Sequence, residues 1–370
     1  MTGAGDPAEL EAQVRVRARR ALRGRWPAAE LGALEPLPGG ISSLTFAAAV
    51  SGSDGGHERV VVKVAPAGLE PVRNRDVLRQ ARALSALHGA RGVPVPEVLA
   101  TDAAAPPLFV MEHVDGDCYE PKWDASDMPP APELVRGRAL AAARALAALH
   151  AVDPVSAGLS GEPILSGEPI LSGEPILSGE PILSAADELE RWTTLYATVG
   201  DELRANEQVL RAALVDTIPT REPGARAAIV HGDFRLGNIL FLGDRPAAII
   251  DWETWTLGDR RHDLAWLLMF AEPVMQREPS RGAGDLAADS AMPAAGELLH
   301  EYLRATGESG APAQLDWFLA AARYKLGAAL AALIKRGRRR EEPGPGLELA
   351  ASTSPALLER GLAELRSPAR

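Results

Sequence analysis

Cysteine is almost missing from this chain. Of 370 residues only Cys118 carries a thiol, which excludes an internal disulfide and a cysteine-built zinc site and fits a reducing compartment. Positive charge is also short: 39 Lys and Arg face 50 Asp and Glu, a formal net charge of −11. That balance argues against nucleic acid and against an anionic membrane surface as partners. It suits either a cationic substrate or plain solubility. No uninterrupted apolar run reaches the roughly 18 to 20 residues of a membrane-crossing helix. Residues 1–20 alternate alanine, acids and arginine without the apolar core of a signal peptide. The expectation is a cytoplasmic protein with no membrane and no nucleic-acid partner. Oligomeric state is not legible.

What is present is ample apolar material, 46% of residues, enough for about two domains. A leading helix is expected over Glu9–Leu22. From Leu34 the texture becomes strand-like, with runs at Leu44–Val50, Arg59–Val64, Pro94–Leu99 and Leu108–Met111 in a five-strand pattern. One helix interrupts them, Arg75–His88, with Asn74 as its expected cap. Asp115-Gly116-Asp117 reads as a linker. Beyond it, Leu134–Ala151, Ala185–Asn206, Asp259–Phe270, Ala294–Ala305 and Leu315–Arg336 carry apolar residues at helical spacing. The fold class expected is α+β and bilobal, a small β-rich lobe over 1–113 and a larger helical lobe over 114–370. Ser160–Leu183 is four tandem copies of Ser-Gly-Glu-Pro-Ile-Leu. A proline in each copy forbids helix, so the segment reads as an expanded, dispensable loop.

The chemistry concentrates in His231-Gly232-Asp233-Phe234-Arg235-Leu236-Gly237-Asn238, followed after an apolar hairpin by Asp251-Trp252-Glu253. An Asp with an Asn five positions on, then a second Asp ending a hydrophobic run, is the spacing of a phosphoryl-transfer centre. Such transfer needs a carboxylate that accepts the proton of the attacking hydroxyl, and oxygen ligands for Mg²⁺. Asp233 is the candidate base. Asn238 and Asp251 are the candidate metal ligands, and His231 a structural residue that orients the loop.

On the nucleotide side, Lys63 interrupts the buried-strand pattern Val60-Val61-Val62-Lys63-Val64. A cation there is costly unless met, and the phosphates of ATP or GTP would meet it. Gly39, Gly40, Ser42 and Ser43 form a turn whose backbone N–H groups suit a phosphate. The run ending at Glu112-His113-Val114 resembles a hinge, with the backbone of Glu112 and Val114 on the adenine edge. The helix position expected to carry a Glu partner for Lys63 holds Gln80 instead. Either bound phosphate and Mg²⁺ balance the lysine, or Asp76 does, or the chain binds nucleotide without turning it over.

With these residues in place, the chain resembles the aminoglycoside phosphotransferase family, whose fold is protein-kinase-like. It is most similar to the subset related to the kinase-like domains of some acyl-CoA dehydrogenases. His231 to Asn238, Ile250-Asp251-Trp252-Glu253, Thr256-Leu257-Gly258-Asp259 and Asp263-Leu264-Ala265-Trp266 carry the resemblance, which extends over roughly 34–336. It implies Asp233 as base, Asn238 and Asp251 on Mg²⁺, and Arg235 near the transferring phosphate. Asp259 and Asp263 are implied to fix the loop. The expected activity is transfer of a γ-phosphate from ATP or GTP to a small-molecule hydroxyl. The alternative is a catalytically weak or inactive nucleotide-binding module. Acceptor identity stays open: Asp115, Asp117, Glu120, Asp124 and Asp127 suit a polycation or a solvated acidic loop equally well.

Overall fold

The computed structural model describes residues 7–37, 43–53, 58–70, 73–160, 180–220, 226–272, 281–338 and 346–366. The chain divides into two compact units, one of Met1–Gly116 with Ala247–Trp255, the other of Asp117–Pro246 with Thr256–Arg370.

In the first unit, helix α1 (Pro7–Arg23) precedes β1 (Glu30–Leu31), β2 (Glu35–Pro36), β3 (Leu44–Ser51) and β4 (Arg59–Val64). Helix α2 (Val77–Leu87), β5 (Val98–Asp102) and β6 (Leu108–Glu112) follow. The sheet runs β1-β3-β4-β6-β5, with β2 on β3, and every pair is antiparallel. Strand β4 lies between β3 and β6 and is buried from Val60 onward, which explains why it is apolar on both sides of Lys63. Val14, Ala18 and Leu22, one helical face of α1, pack with Val60, Val62, Val64, Leu99, Leu108 and Val110. Arg17 of α1 then clamps the end of β5, with Nε 2.9 Å from Asp102 Oδ2.

Three local expectations change. Asp76, not Asn74, caps α2, its Oδ1 accepting the Arg79 N–H at 3.0 Å, because residues 73–75 are already spent in a 3₁₀ turn. Strand β5 begins at Val98 rather than Pro94, since Pro94 and Pro96 have no N–H to donate. The sheet has six strands instead of five, because β1 and β2 are two residues each and leave no period to read.

The second unit contains α3 (Pro132–Ala151), α4 (Ala185–Tyr196), α5 (Glu207–Asp216), β7 (Ala228–Val230) and β8 (Ile239–Leu242). After β9 (Arg245–Ile249), whose far end passes into the first unit, come β10 (Thr256–Gly258), α6 (Arg261–Phe270), α7 (Ala283–Ser290), α8 (Ala295–Thr306), α9 (Leu315–Gly337) and α10 (Gly346–Arg366). The expected helix over 185–206 stops early, at Tyr196; a 3₁₀ turn over Asp201–Leu203 follows, and Asn206 at φ 65° opens α5, a helix beyond the expected one. The spine is α9, which packs Trp317, Phe318, Tyr324, Leu330 and Ile334 against α4, α5, α6 and α10. By length and composition alone α9 could cross a membrane, but Arg323 and Lys325 interrupt its apolar run and most of it is buried as core. Two short ladders place the chemistry: β7 pairs β10, and β8 pairs β9 around Gly243 at φ 64°.

Most of the hexapeptide repeat, 161–179, lies outside the described residues. Its two ends meet. The Glu180 N–H donates to Leu159 O at 3.0 Å, and Leu183 N–H to Leu257 O of β10 at 2.7 Å. Deleting residues 162–179 would join Gly161 to Glu180 and turn the first bond into the i to i+3 bond of a β-turn. We expect this deletion to preserve the fold and to raise stability by up to about 2 kcal/mol through a shorter loop closure. Thermal unfolding checks it, and loss of a cooperative transition would contradict it.

Candidate active site

The loop after β7 is held from below by α6. The backbone N–H groups of His231 and Gly232 donate to Asp263 Oδ2 and Oδ1 at 2.6 and 2.8 Å. Gly232 adopts φ 83°, a conformation that suits glycine. Asp263 is fully buried, and burial pushes its carboxyl up. Bonding and charge from His150, the charge of His231 and the Gly232 N–H prevail and hold it below the usual range. His150 Nε2 lies 3.7 Å from Oδ2. The β7 and β10 pairing makes this meeting possible, because β7 runs into the loop and β10 runs into α6.

Within the loop every polar atom of Asp233 has a role. Its N–H donates to His231 Nδ1 at 3.1 Å, the orienting bond expected of that histidine. Its Oδ1 accepts the Trp266 indole N–H at 2.8 Å and lies 3.4 Å from Arg235 Nε. Its Oδ2 accepts from Asn238 Nδ2 at 2.7 Å, and the same nitrogen reaches Asp233 O at 2.9 Å. Both contacts demand a donor, so the Asn238 amide nitrogen faces Asp233 and its carbonyl oxygen faces away. The structure therefore brings Asp233, Arg235 and Asn238 together.

Lys325 escaped the sequence reading. It comes from α9, donates to Gly232 O, and its ammonium sits 4.3 and 5.1 Å from the ring centroids of Trp266 and Trp192. Burial pushes its pKa down, opposed chiefly by Glu188. No local motif marks it, because α9 is distant in sequence and Lys325 is one of two cations, with Arg323, on its buried middle.

The remaining predicted residues belong to the first unit. Lys63 is buried on β4, and its Nζ lies 3.4 Å from Asp251 Oδ1. Gln80 is buried but donates to Asn74 O at 3.3 Å, and Asp76 is occupied as a cap. Neither serves the lysine among the described residues; Asp251 does. Asp251 adopts φ 63°, strained for a non-glycine residue. That turn is over-determined: Trp252 is buried with its indole N–H on Ile249 O at 2.9 Å, and Arg79 lies 4.4 Å over the Trp255 ring while donating to Trp255 O. The Ser43 hydroxyl is buried without a hydrogen-bond partner among the described residues; Gly39, Gly40 and Ser42 lie outside them. The Glu112 N–H is given to Glu97 O at 2.9 Å, so the hinge reading requires its carbonyl; Val114 is half-buried two residues on.

The acidic stretch after the linker is mostly spent on structure. Asp117 receives two bonds from Arg138, at 2.5 and 2.9 Å, and Asp124 accepts the Glu120 N–H at 2.7 Å. Glu120 itself is fully buried.

An antiparallel sheet bearing a buried lysine, and a helical unit bearing a pinned His-Gly-Asp loop, define a kinase-like fold. Residues 33–318 match the model of the phosphotransferase enzyme family, and the chain belongs to that family. It is similar to the probable acyl-CoA dehydrogenase IBR3 of Arabidopsis thaliana, 31% identical over 143 residues that cover 36% of this chain and 17% of that protein. The chain thus spans about a sixth of the length of that curated relative. A Ralstonia eutropha structure assigned to the aminoglycoside phosphotransferases has a TM-score of 0.67 at 22% identity, covering 99% of both chains. The ternary complex of a thermostable mutant of aminoglycoside phosphotransferase APH(4)-Ia with AMP-PNP and hygromycin B gives 0.58 at 15% identity, covering 95% of this chain and 98% of that one.

Asp263→Asn should destabilise the protein by roughly 2 to 4 kcal/mol at neutral pH, because it weakens two bonds to a buried carboxylate. The folded carboxyl sits below its unfolded value, so its contribution is present above that value and lost as pH falls through the folded pKa. Denaturant unfolding should therefore show the gap to wild type narrowing below pH about 4; an equal gap at neutral and acid pH would contradict this.

Proposed function

We propose that the chain transfers the γ-phosphate of ATP or GTP to a hydroxyl group of a small molecule, the first unit taking the nucleotide and the second the acceptor. The observation that carries this reading is Asp233. One of its carboxylate oxygens is fixed by Trp266 and the other by Asn238, which aims a proton acceptor without neutralising it. In the reaction Asp233 orients the acceptor hydroxyl and takes its proton as that oxygen bonds to the γ-phosphorus and the bond to the β-phosphate oxygen breaks, releasing ADP or GDP. Arg235 steadies the phosphoryl oxygens, and Lys63 meets the nucleotide phosphates.

Asn238 and Asp251 fit Mg²⁺ in kind. Each offers a hard oxygen donor, Asp251 from the first unit and Asn238 from the second, and nucleotide phosphate would supply further oxygens to such an ion. When bound, the ion would neutralise charge on the β- and γ-phosphates. The Lys63–Asp251 pair gives the strand lysine a partner within its own unit.

On the acceptor side, Asp117 and Asp124 are tied to Arg138 and the Glu120 N–H and Glu120 is buried, so three of the five acidic candidates are not free for a polycation, while Asp115 and Asp127 stay exposed. Neutral or anionic hydroxyl compounds are the class to try first. Gln80, in the place of a charged partner, favours a second reading: a nucleotide-binding module with little turnover.

The test is ³¹P NMR with ATP and with GTP, Mg²⁺, and a panel of hydroxylated acceptors. Asp233→Asn should lower kcat by about 10²- to 10⁴-fold while nucleotide still raises the thermal midpoint. Midpoint shifts without transfer to any acceptor would favour the binding module. No shift with either nucleotide would sink both readings. Lys63→Met should raise the nucleotide KM by about tenfold or more by removing a charge-assisted contact.

A further inference from the structure

We propose that Glu120 is a positioning residue for phosphotransfer, holding the Arg235 guanidinium beside Asp233; this rests on the function proposed above. Glu120 Oε2 accepts the Gly237 N–H at 3.2 Å and lies 3.7 Å from Arg235 Nη1. Its other oxygen, Oε1, is buried without a hydrogen-bond partner among the described residues. A fully buried carboxylate with one oxygen unmet is expensive, and such groups persist where their charge has work to do.

The geometry shows that work. Arg235 lies over an aromatic shelf, 5.9 and 5.7 Å from the ring centroids of Trp123 and Phe270, which stack on each other. Its Nε faces Asp233 Oδ1 at 3.4 Å and its Nη1 faces Glu120. One guanidinium thus joins two carboxylates, one partly exposed on the loop and one sealed behind it. A Cβ at Gly237 would collide with that guanidinium and come within 3.3 Å of the Glu120 Cβ. The glycine keeps the space in which Arg235 and Glu120 meet.

The charge on Glu120 is finely set. Burial, the largest influence, pushes the carboxyl up to about 7; Arg235 and the Gly237 N–H oppose this, while Asp124 and Asp233 add to it. A carboxyl raised in the folded state gives its full stability below the unfolded value of 4.5 and loses it as pH rises through about 7. Above that pH the protein carries a destabilising anion that restrains Arg235.

The stability test compares Glu120→Gln in the wild-type and Arg235→Gln backgrounds at pH about 8.5, by thermal unfolding. Glu120→Gln should raise the midpoint in both, and more in the Arg235→Gln background, where the cation offsetting the buried charge is gone. Equal gains overturn the proposal, whether or not the protein turns over. In the phosphotransfer assay, Glu120→Gln should lower kcat about tenfold or more, leave the acceptor KM unchanged, and remove a pH inflection near 7. It should have no further effect once Arg235 is Gln. Gly237→Ala, which displaces Arg235 and keeps Glu120, should lower kcat likewise. Wild-type kcat in both Glu120→Gln and Gly237→Ala overturns the proposal. Should wild type transfer no phosphate at all, the function proposed above fails and the midpoint comparison alone decides the pairing.

Discussion

The His231–Asn238 loop depends on one buried carboxylate. Asp263 accepts the consecutive backbone N–H groups of His231 and Gly232, and so sets the direction in which the chain leaves β7. A charged acceptor makes these bonds strong, and the surrounding histidines and amides keep it charged despite complete burial. From that anchor the order follows along the chain. Gly232 turns at positive φ, Lys325 takes the Gly232 carbonyl, and His231 takes the Asp233 N–H. The Asp233 carboxylate then meets Trp266, which stands on the same helix as Asp263. The anchor of the loop and the indole that fixes the Asp233 carboxylate share one rigid element, which is how a loop acquires the precision of a helix.

The first unit solves a different problem, a lysine inside a sheet. Lys63 sits on the central strand with buried neighbours on both sides, so its charge has to be met within the unit. Asp251 meets it from a strained left-handed turn. That strain is sustained by the grip of Arg79 and two buried tryptophans on residues 252–255. The segment Ala247–Trp255 belongs to the first unit although the chain around it belongs to the second.

Legibility in the sequence followed the range of the interaction. The α+β, kinase-like fold and the loop residues Asp233, Arg235 and Asn238 were readable because their geometry is local, set by spacing within a few residues. The strand lysine was readable because one cation broke a continuous apolar run. Its partner was not, since Asp251 is 188 positions away and a helix residue was the expected site. Lys325 was missed, and Glu120 was read only as one of five acidic candidates for the acceptor, for the same reason: each reaches the loop through packing that no local pattern encodes. Prolines and short strands shifted element ends in the first unit, and in the second a turn after Tyr196 ended a helix that periodicity had carried on to Asn206. Helix α10 lay beyond the expected elements altogether.

If the Asp263 anchor preforms the loop, the protein needs no nucleotide to place Asp233. Native-state hydrogen exchange of the His231, Gly232 and Asp233 amides, in nucleotide-free protein, measures this directly. Preformation predicts exchange as slow as that of the unit's core helices, governed by global opening. Exchange at the rate of an exposed loop, becoming slow only on nucleotide addition, would contradict it.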